Sequence, residues 1–236
     1  MTNVRMMLPA TSLGGRRFEP SREADLHALV IAMAHGLPLR GDVVLIPEMP
    51  SPLGLPDFLA AVGVDTWLTR RAHAGIPPLL SEIECSVLSA LKASRPLGAE
   101  SVAGRLGWTV AEVDRVVDRL ARTGAVVVTP GGAFKRSRVF EPEGSLIAVE
   151  AKLEGWQRAV RQGRGYRTWA SNYVVVLGEV GDVARLRATD EVSADGAGLF
   201  NGKGWIVRPT ARQPSAARRI LGLEHLYAAI ASGPPL

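Results

Sequence analysis

The apolar positions in the first third of the chain predict one helix followed by two strands. Apolar residues recur at helical spacing from 26 to 33, and Gly36 ends the predicted helix. Continuous apolar runs at 42–47 and 56–63 then predict two buried strands that are joined as a hairpin. Residues 1–20 show no periodicity, which predicts a loose N-terminal arm.

The last third of the chain alternates between strand and helix patterns. Short apolar runs predict strands, two of them weak, and longer amphipathic stretches predict helices. The strands are expected at 145–150, 173–177, 198–200 and 205–207, and the helices at 155–170 and 215–230. Alternating strands and helices are typical of an α/β fold, so we expect one sheet that is built from both ends of the chain.

The middle of the chain, residues 66–142, has a different pattern. A linker containing Gly and Pro comes first, and residues 80–140 then predict a helix, a short helix, a longer helix and a hairpin. Thr109 is placed to cap the longer helix, and Glu112 three residues later completes a capping box. Three helices followed by a hairpin in this order resemble a winged helix-turn-helix.

The resemblance to a winged helix implies binding to duplex DNA. The third helix would enter the major groove, and the hairpin, or wing, would contact phosphates. The implied DNA-binding residues are Thr109, Arg115 and Arg119 on the helix and Lys135, Arg136 and Arg138 on the wing. Acidic residues on the same helix would repel phosphate if they faced it, and winged helices also serve as protein-binding modules. DNA and protein therefore both remain open as partners of this segment.

Composition and charge limit the classes of protein to which this chain can belong. Lys and Arg number 28 against 23 Asp and Glu, which gives a net charge of +5, and all but four of the basic residues are arginines. Arginine matches phosphate geometry with paired hydrogen bonds, so this composition permits nucleic-acid binding without establishing it. The single cysteine, Cys85, excludes a disulfide within the chain, and we expect a reducing cytoplasm. Every apolar stretch is far shorter than the roughly 18 residues of a membrane span, so no membrane partner is expected.

The candidate chemistry centres on Glu150-Ala151-Lys152. Residues two apart in a strand face the same side of the sheet, so the acid and the lysine point together from the end of an apolar strand. Asp57 opens an earlier strand and can share a site with Glu150 across adjacent strands. Two carboxylates with water oxygens suit Mg²⁺, and a lysine beside them can stabilise charge on a phosphate. A purely structural salt bridge is the alternative.

Pro56-Asp57 followed by Glu150-Ala151-Lys152 resembles the PD-(D/E)XK nuclease superfamily. Gln162 and Tyr166, one helical turn apart, are similar to the Gln-x-x-x-Tyr pair of its RecB-type members. The order helix, strand, strand, strand, helix, strand is similar as well. The resemblance implies a restriction-endonuclease-like αβββαβ core with the winged helix inserted into it. The core would comprise residues 21–65 and 143–236.

The nuclease resemblance also implies roles for individual residues. Asp57 and Glu150, with the backbone carbonyl of Ala151, would bind Mg²⁺ or Mn²⁺. A third acid would come from Glu23 or Glu48. Lys152 would orient the attacking water, and Gln162 and Tyr166 would support the site. This chain departs from the family pattern in the long separation of Asp57 from Glu150, which an insertion at a loop between two core strands would explain.

The helix expected at 155–170 carries Arg158, Arg161 and Arg164 at three-residue spacing. Such a run is usually a solvated face, but beside a nuclease site it would follow the phosphate backbone. The sequence therefore predicts a metal-dependent deoxyribonuclease that the winged helix positions on DNA, and a homodimer would suit a double-strand cut. The alternatives are a DNA-binding regulator and a repair or defence adaptor, each built on a catalytically silent nuclease fold.

Overall fold

A computed structural model describes residues 2–8, 26–210 and 212–231 of the 236-residue chain. The fold is mixed α/β, as the sequence predicts, with a central seven-stranded sheet and a separate two-stranded hairpin in the described residues. The helices are α1 Leu26–His35, α2 Asp65–His73, α3 Glu82–Ala90, α4 Ala99–Leu106, α5 Val110–Arg122, α6 Trp156–Tyr166, α7 Asp182–Asp195 and α8 Ala216–Ala231. The strands are β1 Val4–Met6, β2 Val43–Pro47, β3 Phe58–Val62, β4 Val126–Val128, β5 Phe134–Arg136, β6 Ser145–Lys152, β7 Asn172–Leu177, β8 Gly198–Asn201 and β9 Gly204–Val207.

The central sheet has the strand order β1-β2-β3-β6-β7-β8-β9. The pairs β2–β3 and β3–β6 are antiparallel, whereas β6, β7 and β8 run parallel and are connected through α6 and α7. Helix α1 packs on one face of the sheet, and α6, α7 and α8 contribute to the core on the other. The central strands are covered on both faces, which explains why their sequences are continuous apolar runs without polar alternation.

The segment between β3 and β6 builds a second hydrophobic cluster from α3, α4, α5 and the β4–β5 hairpin. Thr109 caps α5 and Glu112 returns the second hydrogen bond, which confirms the expected capping box. Ile220 and Leu221 of α8 belong to the same cluster, and α8 also packs on the sheet. Helix α8 therefore contributes to both hydrophobic cores.

A buried ion pair connects α2 with α8. Arg71 and Glu224 are both fully buried, and the Arg71 guanidinium donates to the Glu224 carboxylate from Nε at 2.9 Å and from Nη2 at 2.8 Å. The same guanidinium donates to the carbonyls of Ile76 and Pro77, and the N–H of Leu79 donates to Glu224 at 2.8 Å. The ion pair thus fixes the loop that leads into α3 as well as the two helices.

Three segments differ from the sequence-based expectation. The arm predicted to be loose contains β1, which pairs in parallel with β2 at the edge of the sheet. The segment predicted to be a linker contains α2, whose buried face carries Trp67, Leu68 and the ion-paired Arg71. Helix α7 was not predicted, because Val183 and Leu186 are exposed and only Ala188 and Val192 are buried, so its apolar residues do not follow a helical stripe.

No helix among the described residues is both long enough and apolar enough to cross a membrane.

We expect Arg71→Met to lower the free energy of unfolding by about 3–5 kcal/mol, because it leaves the Glu224 carboxylate buried without its counter-ion. Urea denaturation followed by circular dichroism measures this loss. The control is Arg185→Met, which removes an ion pair with the largely exposed Asp182 and should change stability by less than about 1 kcal/mol. A loss as small as the control's would contradict a central role for the buried pair.

Candidate functional site

The register between β3 and β6 brings Asp57 beside Glu150. Phe58 pairs with Val149, so Asp57, just before β3, lies next to the last residues of β6. The Asp57 Oδ2 atom accepts a hydrogen bond from the backbone N–H of Ala151 at 2.9 Å. A backbone donor of the neighbouring strand therefore fixes the Asp57 carboxylate, although the two residues are far apart in sequence.

Lys152 contacts both acids. Its Nζ lies 2.6 Å from Asp57 Oδ2 and 3.6 Å from Glu150 Oε2. Glu150 and Lys152 point the same way because they are two residues apart on β6, as expected from the sequence. The lysine side chain is 11% exposed and the Glu150 side chain 1%, so this ionic cluster is almost wholly removed from solvent.

Tyr166 completes the buried cluster from α6. Its hydroxyl donates to Glu150 Oε1 at 2.8 Å. Gln162, one turn earlier, has a buried Oε1 atom without a hydrogen-bond partner among the described residues. The structure therefore brings together Asp57, Glu150, Lys152 and Tyr166 through specific contacts, and Gln162 lies on the same helix with an unsatisfied acceptor.

Two residues of the turn before Asp57 were not expected to matter. Gly54 has a φ of +84°, and a Cβ atom there would lie 3.0 Å from a ring carbon of Tyr166. Ser51 Oγ contacts the carbonyl oxygen of Gly54 at 2.7 Å and closes the turn. Gly54 thus permits both a left-handed backbone and close approach of the tyrosine. The signal in the sequence was the glycine three positions before the aspartate.

Burial and charge act together on Glu150. Desolvation, followed by the neighbouring negative charge of Asp57, raises the pKa of Glu150 to about 7, while the Tyr166 hydrogen bond and the Lys152 charge act in the opposite direction. Glu150 Oε2 has no hydrogen-bond partner among the described residues. When Glu150 is protonated, that oxygen can share its proton with Asp57, which favours the neutral acid further.

The donor set fits a hard divalent cation in part. Asp57 and Glu150 supply carboxylate oxygens, the unsatisfied Glu150 Oε2 is buried beside Asp57, and Mg²⁺ commonly keeps several waters. Within residues 2–8, 26–210 and 212–231, however, no group of three or more His, Cys, Asp or Glu side chains could hold a metal ion. Glu23, one expected third acid, lies outside the described residues.

Glu48, the rival third acid, lies at the same end of the sheet. Its backbone N–H donates to the carbonyl of Asp57 at 3.1 Å. Its φ of +46° is the one left-handed backbone conformation among the described residues other than glycine. Strained backbone is concentrated at functional sites, and Glu48 is held in this conformation immediately beside Asp57.

The arginines of α6 are not equivalent. Arg158 and Arg161 are exposed and make no ion pair within the described part of the chain. Arg164 is turned to α7, where it binds Glu191 at 2.5 Å and Asp195 at 2.7 Å. Arg158 and Arg161 are therefore available to a polyanion, whereas much of the charge of Arg164 is already neutralised.

The other expected DNA-binding residues also differ from one another. Thr109 and Arg115 are exposed on α5, and Arg119 binds Glu84 of α3 at 2.9 Å. On the hairpin side, Arg138 is exposed and Lys135 half-buried. The guanidinium of Arg136 donates to the carbonyl of Leu88 at 3.2 Å, and burial lowers the pKa of Arg136. Arg136 thus contributes to holding the hairpin against α3.

Comparison of the chain with protein-family models finds no match, and neither curated proteins nor solved structures provide one.

The raised pKa of Glu150 predicts a specific pH dependence of stability. The folded state binds this proton more tightly than the unfolded state, so the stabilisation is complete below the unfolded pKa of 4.5 and is lost as the pH rises through about 7. Glu150→Gln cannot ionise and should lack this loss.

Chemical denaturation in EDTA between pH 5 and pH 8 tests this effect. The stability of Glu150→Gln relative to the parent protein should rise over that interval by about 1–3 kcal/mol. Glu154→Gln, which changes an exposed acid on the loop after β6, is the control. A difference between Glu150→Gln and the parent that does not vary with pH would contradict the raised pKa.

Proposed function

We propose that this protein is a metal-dependent deoxyribonuclease of PD-(D/E)XK type, with an inserted winged helix that holds it on duplex DNA. The observation that carries the proposal is the buried cluster at the end of β6. Asp57, Glu150 and Lys152 converge there, and Tyr166 binds Glu150 from α6. Asp57 and Lys152 keep 15% and 11% of their side-chain surfaces exposed and Glu150 only 1%, so a phosphodiester would approach the cluster from the side of Asp57 and Lys152.

The order of the surrounding elements supports the same family. Helix α1, strands β2, β3 and β6, helix α6 and strand β7 follow one another in the order of an αβββαβ core. The additional helices α2 to α5 and the small hairpin lie between β3 and β6, where an insertion would separate the aspartate from the Glu-x-Lys triplet. The capped α5 followed by the β4–β5 hairpin supports the proposal of a recognition helix and a wing.

In the proposed reaction, water hydrolyses a phosphodiester bond. Asp57, Glu150 and the carbonyl of Ala151 would hold Mg²⁺ or Mn²⁺, and Glu48, whose backbone N–H donates to the carbonyl of Asp57, is the candidate third acid in the described residues. The bound cation would supply Lewis-acid activation of the phosphate and lower the pKa of an attacking water. Lys152 donates a hydrogen bond to the phosphate, and its positive charge stabilises the negative charge that develops there. Tyr166 fixes the orientation of the Glu150 carboxylate through its hydrogen bond.

One observation favours the alternative function, a DNA-binding regulator whose nuclease fold is catalytically silent. Lys152 already binds Asp57 at 2.6 Å, and such a buried pair can satisfy itself without any metal. The regulator would bind DNA without cutting it, whereas an adaptor would bind a protein partner through the winged-helix-like segment. Cleavage assays and DNA-binding assays separate the three functions.

The catalytic prediction concerns three replacements. Asp57→Asn and Glu150→Gln weaken cation binding, and Lys152→Gln removes the positive charge that stabilises the reacting phosphate, so each should lower the cleavage rate by about 10²-fold or more. Cleavage is measured on a panel of linear, nicked and single-stranded DNA with Mg²⁺ or Mn²⁺, and EDTA should abolish it. DNA binding, which is measured in EDTA, should persist in all three variants.

Glu154→Gln is the matched control, because it neutralises an exposed acid two residues beyond Lys152 and should leave cleavage unchanged. If the parent protein cuts no DNA in the panel, or if the three variants cut as fast as the parent does, the nuclease proposal fails. Metal-independent DNA binding by the parent would then favour the regulator.

The wing prediction concerns salt dependence. Replacing Lys135 and Arg138 together by Ala should weaken DNA binding and reduce the slope of log K against log salt by about 0.9 for each lost phosphate contact. Fluorescence anisotropy at several salt concentrations measures both quantities. Lys203→Ala, in the turn between β8 and β9, removes an exposed charge elsewhere and should leave the slope unchanged. An unchanged slope in the double variant would favour a protein partner for the hairpin.

A further inference from the structure

A polar cavity lies near the C-terminal end of α6 and the N-terminal end of α8. Its volume is about 450 Å³, and we call it the Arg212 pocket. Its polar lining includes Arg164, Arg167, Ser171, Arg212, Gln213 and Ser215. No acidic side chain is among the described residues that line it. The cavity is therefore rich in hydrogen-bond donors and poor in negative charge.

Asp195 holds two of the arginines that line the pocket in fixed positions. It binds Arg164 Nε at 2.7 Å, lies 3.7 Å from Arg167 Nη1 and accepts a hydrogen bond from the Tyr173 hydroxyl at 2.5 Å. Side chains that are already ordered lose less entropy when a ligand binds. The three arginines that line the pocket, Arg164, Arg167 and Arg212, outnumber the two contacting acids, Asp195 and Glu191, by one charge.

Ser171 is a candidate hydrogen-bond donor at the pocket. The residue is 5% exposed, its backbone N–H donates to the carbonyl of Leu146 at 2.7 Å, and it lines the pocket. Its hydroxyl makes no hydrogen bond within the described residues. Ser215, directly before the 16-residue helix α8, lines the same pocket and accepts a hydrogen bond from the N–H of Arg218 at 3.4 Å, so the N-terminus of that helix lies next to the pocket.

We propose that the Arg212 pocket binds a phosphate monoester, and that the monoester is the phosphorylated end of a nucleic-acid strand. A terminal phosphate carries close to two negative charges and accepts several hydrogen bonds, which matches ordered guanidinium groups, the hydroxyl of Ser171 and a helix N-terminus. A volume of about 450 Å³ holds a nucleotide-sized group as well as its phosphate.

The position of the pocket relative to the carboxylates supports a nucleic-acid strand as the source of the phosphate. Ser171 is bonded to Leu146, and Glu150 lies four residues further along β6, a span of about 13 Å. Helix α6 connects the two places directly, because Arg164 and Arg167 line the pocket and Tyr166, between them in sequence, binds Glu150 at 2.8 Å. A strand held in the pocket by its terminal phosphate would therefore lie within one or two nucleotides of the carboxylates. The strand assignment rests on the proposed nuclease function, whereas phosphate binding does not.

Titrations in EDTA test the pocket without any cleavage. The probes are inorganic phosphate, followed by isothermal titration calorimetry, and short single-stranded oligonucleotides with a 5′-phosphate, a 3′-phosphate or neither, followed by anisotropy. Phosphate should bind the parent protein, and Arg212→Ala and Ser171→Ala should each weaken it, by about tenfold for the arginine. Arg208→Ala, which removes an exposed arginine outside the pocket lining, should bind phosphate as the parent does.

The oligonucleotides distinguish the sources of the phosphate. The parent should prefer one phosphorylated end over the unphosphorylated strand, and Arg212→Ala should lose that preference while keeping its binding to unphosphorylated DNA. Phosphate binding without any preference for a phosphorylated end would overturn the strand assignment and leave a site for free phosphate. No phosphate binding, or binding that is equal in the parent, Arg212→Ala and Ser171→Ala, would overturn the pocket itself. Neither result depends on whether the protein cuts DNA.

Discussion

The antiparallel register of β3 and β6 positions the principal groups of the candidate site. Pairing of Phe58 with Val149 places the Asp57 carboxylate against the N–H of Ala151 and directs Glu150 and Lys152 to the face that α6 covers. A slip of one residue would turn both β6 side chains to the opposite face, towards α1. Because both strands are buried, such a slip would also move the apolar side chains of β6 to the opposite face, away from the residues against which they pack. The packing of the core thus specifies the geometry of the polar cluster.

The same pair of strands explains how a large segment fits between two parts of one site. The chain leaves β3 at Gly63 and returns to β6 at Gly144, and a Cβ built on Gly63 would lie 4.0 Å from the Cα of Gly144. The two ends of the segment between β3 and β6 are therefore adjacent, which leaves β3 and β6 free to pair as though they were consecutive. The Arg71–Glu224 ion pair and α8 then fix the helices of this segment against the sheet. Movement of that segment would separate a buried charge pair, which is costly.

The sequence predicted the parts of this structure that follow from local pattern. The α1 helix, the buried strands, the capped α5 and the spacing of Glu150 and Lys152 all have short-range signals, and Asp57 was linked to them by resemblance. Helix α2 was missed because the polar residue on its buried face, Arg71, has a partner in Glu224, 153 positions away. Likewise, the sequence suggested that Arg136 is a cation available to DNA. In the structure its guanidinium donates to the carbonyl of Leu88, a partner distant in sequence. Long-range partners decide whether a charged residue is buried or available, and one sequence does not show them.

Charge balance in the buried cluster limits how the proposed reaction can proceed. With Asp57 and Glu150 ionised, Lys152 neutralises one of two negative charges, so an incoming phosphodiester would meet a net negative site. Repulsion in a desolvated cluster is strong, and burial together with this repulsion raises the pKa of Glu150. Either a proton on Glu150 or a divalent cation removes this repulsion, but protonated Glu150 is a poor cation ligand. The two states therefore compete for the same oxygens, and cation binding should release a proton near neutral pH. If the protein is a nuclease, its cation affinity must then increase as Glu150 loses its proton.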